Sequence, residues 1–136
     1  ELPAGLFDAP GEQPVVAAQR ELAEETGLAA GRWSVLVDVL ASPGFTDEAV
    51  RIFLAQDLTE VDRPEVHDEE ADIELSYVPL DEAVRRALSG EIVNASAVAG
   101  VLAYAAARAA GTELRPADAP WADLPTAFEN RTSSRK

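Results

Sequence analysis

The residues with the clearest chemical potential are Glu12, Arg20, Glu21, Glu24 and Glu25. Side chains three and four positions apart on a helix are neighbours, so Glu21 and Glu25 stack on one side with Glu24 close beside. Like charges at that spacing destabilise a helix by roughly 0.2–0.5 kcal/mol per pair. A divalent cation converts this repulsion into chelation. Hard cations such as Mg²⁺ take carboxylate and carbonyl oxygens in a near-octahedral arrangement. Arg20, four residues before Glu24, is placed to hold that carboxylate by a charge-assisted bond, which leaves Glu21 and Glu25 for metal. Acidic helix faces are more often plain solvated surface, so these charges alone leave both readings open.

The wider spacing decides between them. Gly5, Glu12 and the run Arg20-Glu21-Leu22-Ala23-Glu24-Glu25-Thr26-Gly27-Leu28 resemble the Nudix box, G-x5-E-x7-R-E-U-x-E-E-x-G-U with U aliphatic. From Glu12 onward every specified position matches. The gap between Gly5 and Glu12 holds six residues rather than five, an insertion familiar among ADP-ribose pyrophosphatases. The resemblance implies a metal site built from Glu12, Glu21, Glu24, Glu25 and the backbone carbonyl of Ala4, within Leu2-Pro3-Ala4-Gly5. It implies Mg²⁺ as the cofactor, with Mn²⁺ as a substitute, and counts Arg20 with the catalytic set.

Two later stretches narrow the expectation. Ser42-Pro43-Gly44-Phe45 reads by itself as a turn. Pro43 stands fifteen residues after Leu28, and a proline at about that distance resembles the hallmark of the ADP-ribose subgroup. Ser42, Pro43, Gly44, Phe45 and Glu48 are therefore the expected substrate-binding residues. The longer pattern of NADH-cleaving relatives does not follow the box. In ADP-ribose pyrophosphatases a glutamate from a later loop takes the proton of the attacking water. The corresponding loop is His67-Asp68-Glu69-Glu70-Ala71-Asp72, with Glu70 expected as the base and Glu69 second. His67, the only histidine, receives no role. The sequon Asn130-Arg131-Thr132 is set aside, because nothing else suggests secretion.

The resemblance implies Mg²⁺-dependent hydrolysis of ADP-ribose to AMP and ribose 5-phosphate. One rival is hydrolysis of another nucleoside diphosphate sugar or dinucleotide. Another is a non-catalytic, nucleotide-sensing Nudix-like module. Such modules tend to lose box acids, and this chain keeps them all. The expected partner is a small-molecule nucleoside diphosphate sugar. The expected assembly is a homodimer, whose N-terminal strands form a separate sheet and complete the partner's adenosine site.

These groups must be positioned by a small set of elements. Pro14 suits the first turn of a helix, Val15, Ala18 and Leu22 form its apolar stripe, and Gly27 ends it. Alternating apolar residues predict strands over 33–40, 49–55 and 73–78. Short and long helices are expected over 81–89 and 94–111. Residues 1–111 then form one domain, with a tail over 112–136 that Trp121 and Phe128 pin in part and whose end is disordered. The order predicts an α/β fold. The resemblance specifies a Nudix-type α/β/α sandwich with a mixed, mostly antiparallel sheet. Three strands are few for such a sheet, and the chain opens on Glu1, so N-terminal strands are expected to be missing ahead of it.

Composition sets the outer limits. Twenty-five acidic residues against eleven Lys and Arg leave a formal charge of −14. Such a surface repels nucleic acid and anionic lipid, so neither is an expected partner. It also repels a phosphorylated substrate unless a bound cation inverts the local field. No run approaches the ~18 apolar residues of a membrane span. The absence of cysteine excludes disulfides, thiolate metal sites and cysteine nucleophiles, and fits a cytoplasmic protein.

Overall fold

The computed structural model describes residues 1–63 and 74–124. Over these the chain forms α1 (Pro14–Thr26), β1 (Leu28–Leu40), β2 (Ala49–Glu60), α2 (Leu80–Ser89), α3 (Ala95–Ala110) and β3 (Arg115–Pro116). The helix boundaries follow local chemistry. Pro14 takes a first-turn position of α1, where its missing N–H has no intrahelical partner to lose. Gly27 ends α1 at φ 69°, donating its N–H to the Ala23 carbonyl. The Asn94 side chain caps α3 by accepting the Ala97 N–H at 2.9 Å.

β1 and β2 form a long antiparallel hairpin, paired from Leu28↔Glu60 to Leu40↔Ala49. One irregularity falls between Val35 and Val37. An extra residue there resets the in–out alternation along β1. β3 lies on the other side of β1, pairing Val35 with Arg115 and Ser34 with Pro116, so the order is β2-β1-β3. Helices α1 and α3 each pack on both β1 and β2 without touching one another, and α2 packs on α3. The result is the α/β/α sandwich with an antiparallel sheet that the sequence predicts.

The core combines two alanines with three branched aliphatic residues. Ala17, Leu28, Val35, Ile52 and Ala97 are its buried apolar members, and Val35 is only 1% exposed. Small side chains let α3 approach closely. A Cβ at Gly100 would stand 3.1 Å from Leu2 Cδ1 and 3.2 Å from Ile52 Cγ2. Leu2 is thereby held against α3 and β2, which fixes the segment leading to Ala4 and Gly5.

Two expectations change. Residues 74–79 form no strand, and Leu75, Tyr77 and Val78 stay exposed. Alternation alone does not make a strand: these residues have no neighbour to pair with among the described ones. Conversely, part of the expected tail joins the sheet as β3. Pro116 is compatible with that place because β3 is an edge. Trp121 pins the segment as expected, while Phe128 lies outside the described residues.

The pinning is electrostatic. Arg51 has a side chain only 2% exposed. It donates from Nε and Nη2 to the two Asp38 oxygens at 2.7 and 3.0 Å. It also donates to the carbonyls of Ala119 and Pro120 at 2.6 and 3.0 Å. Its guanidinium lies 4.8 Å from the Trp121 ring centroid, a cation–π contact. Arg115 donates to Asp38 Oδ2 at 2.7 Å from the other side. Burial alone would raise the Asp38 pKa, but the hydrogen bonds from Arg51 and Arg115 outweigh it and hold the carboxyl below its ordinary 3.8.

A lowered folded-state pKa stabilises the fold fully above the unfolded value and loses that effect as pH falls through the folded value. Acid sensitivity from Asp38 is therefore expected to begin near the ordinary 3.8 and continue below it. Asp38→Ala leaves the buried Arg51 charge without its carboxylate and is expected to lower stability by roughly 3–5 kcal/mol at neutral pH. In urea unfolding at pH 7 and pH 3, the variant should lose less stability on acidification than the unsubstituted protein. Equal losses would remove Asp38 from the acid response.

Candidate active site

The centre of the site is Arg20, on the second turn of α1. Its Nη1 donates to Glu21 Oε1 at 2.6 Å and to Glu24 Oε2 at 3.2 Å. Its Nη2 donates to the Leu6 carbonyl at 2.9 Å. Asp8 Oδ2 lies 3.1 Å and Glu12 Oε1 3.6 Å from Nε. Arg20 holds Glu24 as the i,i+4 spacing predicts. It also holds Glu21, which the spacing had left for metal. Burial alone would lower the Arg20 pKa, but the hydrogen bond to Glu21 and the charges of Glu21 and Asp8 hold it above the arginine range.

The loop before α1 is shaped around the same guanidinium. The Asp8 N–H donates to Glu12 Oε2 at 2.8 Å, and the Glu12 N–H donates to the Ala9 carbonyl at 3.1 Å. This turn brings Glu12 back over Arg20. A Cβ on Gly5 would stand 1.9 Å from Glu21 Oε1 and 2.0 Å from its Cδ. Only a glycine lets the Glu21 carboxylate lie directly on the backbone here. The same contact brings the Gly5 backbone, next to Ala4, up against the Glu21 carboxylate.

At the far end of α1, Arg63 donates from Nε to the Glu24 carbonyl at 3.1 Å and from Nη2 to the Glu25 carbonyl at 2.5 Å. The Val61 N–H donates to the Gly27 carbonyl at 2.9 Å. The chain leaving β2 is thus tied to the last turn of the acidic helix. Neither Asp8 nor Arg63 stands out in the sequence. Asp8 sits in the loop of altered length, and Arg63 acts across 38 and 39 residues.

The donor set suits a hard divalent cation. Asp8, Glu12, Glu21 and Glu24 place four carboxylates around one guanidinium. Glu12 and Glu21 are largely shielded, at 12% and 14% side-chain exposure, so solvent relieves little of that excess. The ligands on offer are all oxygens, the preference of Mg²⁺ and Mn²⁺. Among the described residues no three acidic or histidine side chains converge on a ready metal position. The carboxylates converge on Arg20 instead.

Ser42, Pro43, Gly44, Phe45 and Glu48 lie in the loop joining β1 to β2. The Phe45 and Thr46 N–H groups donate to the Ser42 carbonyl at 2.8 Å each, and the Ala41 N–H donates to the Glu48 carbonyl at 3.0 Å. Phe45 is 90% exposed. None of these hydrogen bonds joins the loop to the α1 carboxylates. Glu69 and Glu70 lie outside the described residues.

A Nudix-like box on an α/β/α sandwich defines a class, and the comparisons agree with it. Residues 1–99 match the model of the NUDIX domain, and the chain belongs to that family. It is 54% identical to an ADP-ribose pyrophosphatase of Mycobacterium tuberculosis over 99% of this chain and 65% of that protein. It is 38% identical to an ADP-ribose pyrophosphatase of Bacillus subtilis, over 70% of this chain and 51% of that one. A GDP-mannose pyrophosphatase of Enterobacter is 33% identical, over 70% and 49%. The chain therefore spans between half and two thirds of the length of these relatives.

Gly5→Ala tests the close approach of Glu21. The new methyl must push the carboxylate aside, while the loop backbone can stay as it is. Displacements of about 1 Å at such sites cost up to roughly 100-fold in rate. The expected outcome is a large fall in metal-dependent turnover with the thermal midpoint nearly unchanged, read by kinetics and calorimetry. Unaltered turnover would show that the Glu21 position is not demanding.

Proposed function

We propose that the protein hydrolyses the diphosphate bond of ADP-ribose, giving AMP and ribose 5-phosphate, with Mg²⁺ as cofactor and Mn²⁺ able to replace it. The observation that carries this reading is the gathering of Asp8, Glu12, Glu21 and Glu24 on Arg20, with Glu21 pressed against Gly5. Glu12, Glu21, Glu24 and Glu25, with the Ala4 carbonyl, are the residues that would hold the ion. A bound divalent cation supplies phosphate charge neutralisation and an acidified water.

The chain's own residues do the rest. Arg20 restrains Glu21 and Glu24 so that their oxygens are set before substrate arrives. Gly5 leaves room for the Glu21 carboxylate beside the Ala4 backbone. Glu70 takes the proton of the attacking water, with Glu69 as the second choice. Ser42, Pro43, Gly44, Phe45 and Glu48 contact the sugar part of the substrate. We assign this loop to a site assembled in a cytoplasmic homodimer. That assignment rests on the resemblance to ADP-ribose pyrophosphatases. The absence of cysteine and of any helix long and apolar enough to cross a membrane, among the described residues, is compatible with it.

The choice of ADP-ribose is supported by the relatives named for it, at 54% and 38% identity. A second reading, another nucleoside diphosphate sugar, is favoured by the GDP-mannose relative at 33%. Comparing kcat/KM for ADP-ribose, GDP-mannose and NADH separates them, with ADP-ribose expected to lead. Preference for either other compound overturns the substrate assignment, and absence of Mg²⁺-dependent AMP release overturns the enzymatic one.

Two substitutions separate holding metal from moving a proton. Glu25→Gln is expected to abolish nearly all turnover by weakening metal binding. Glu70→Gln is expected to leave metal affinity unchanged and slow turnover by roughly 10²–10⁴-fold, the usual contribution of a general base. Calorimetric Mn²⁺ titration beside single-turnover kinetics reads both. Equal loss of metal affinity in the two variants would contradict the separate roles.

A further inference from the structure

The last turn of α1 is chemically awkward. A helix C-terminus carries a partial negative charge and favours cations. Both α2 and α3 meet this with a basic residue of their own, Arg86 and Arg108, in the last turn. Helix α1 has none there; its last turn holds Glu24 and Glu25 instead. The missing cation comes from Arg63, beyond the end of β2. Its fork spans two consecutive carbonyls, those of Glu24 and Glu25.

The fit around Arg63 is close. A Cβ on Gly27 would stand 2.9 Å from Arg63 Cγ and 3.4 Å from the Val61 carbonyl oxygen. Gly27 sits at φ 69°, which an L side chain rarely adopts, so the open lane for Arg63 and the turn that ends α1 come from one residue. The Val61 N–H, bonded to the Gly27 carbonyl at 2.9 Å, adds a third tie between the two segments. The two residues whose carbonyls Arg63 holds are also two of the carboxylates assigned to metal. Rotation or fraying of that turn would swing both side chains together.

We propose that Arg63 is a positioning residue that locks the last turn of α1 and so sets the aim of the Glu24 and Glu25 carboxylates toward a divalent cation. The inference rests on the metal-dependent reading given above. Arg63 acts through the backbone of its two partners, the carbonyls of Glu24 and Glu25. Lysine offers one ammonium where arginine offers a planar fork, so it can replace only part of this hold.

The test is Mn²⁺ binding to the whole protein, read by paramagnetic resonance of the free ion, with amide hydrogen exchange over residues 24–27. In Arg63→Ala, Mn²⁺ affinity is expected to fall about tenfold, the scale on which supporting residues act at metal sites. Exchange over 24–27 should quicken while the thermal midpoint stays close to that of the unsubstituted protein. Arg63→Lys should fall between the two, and it serves as the test if Arg63→Ala does not fold. Unchanged Mn²⁺ affinity in Arg63→Ala overturns the inference and leaves the metal site standing. Affinity lost only in proportion to lost folding, with no recovery by lysine, also overturns it. Failure of the unsubstituted protein to bind Mn²⁺ removes the metal reading and this inference together.

Discussion

Crowded negative charge on one short helix is the constraint around which this protein is arranged. Glu21 and Glu24 share a single nitrogen of Arg20, and Asp8 and Glu12 approach the same guanidinium from the preceding loop. Without that cation the four carboxylates would repel one another, and solvent screens Glu12 and Glu21 poorly. With it they are close together and still short of positive charge. A site left with that residual deficit is prepared for a cation that it does not itself contain. The same surplus, spread over a surface of −14 formal charge, would otherwise turn a diphosphate away.

The surrounding fold serves that arrangement through close approaches. Gly100 admits Leu2 to the interface between α3 and β2, and Leu2 anchors the segment that ends at Gly5. Gly5 in turn admits the Glu21 carboxylate. Three segments distant in sequence therefore meet through two missing methyl groups. The cost is a thin core, with few large side chains fully buried among the described residues. The long β1–β2 ladder and the buried Arg51 network compensate by tying the sheet together through directional bonds.

What was legible in the sequence is what depends on neighbours a few residues apart. The ends of α1 at Pro14 and Gly27 and the Arg20–Glu24 pair follow from such local rules. The hairpin was legible too, although β1 and β2 extend further toward Leu28 and Glu60 than alternation indicated. The strand expected over 73–78 failed over its described part, because pairing needs a partner that residue pattern does not supply. Arg63 and Arg51 were invisible for a related reason. Each bonds carbonyl oxygens, which every residue carries, so no side-chain type marks the far end of the interaction.

The Arg51 clamp has a consequence for the order of synthesis. The guanidinium belongs to β2, but two of its acceptors, Ala119 and Pro120, are made 68 and 69 residues later. At ribosomal speeds of about 5–20 residues per second, those carbonyls follow several seconds after the strand they complete. During that interval the β1–β2 hairpin can pair, and Asp38 can neutralise Arg51, but the buried donors are not all satisfied. Among the described residues the sheet is therefore completed last at the β3 edge, by a segment made long after the hairpin it joins.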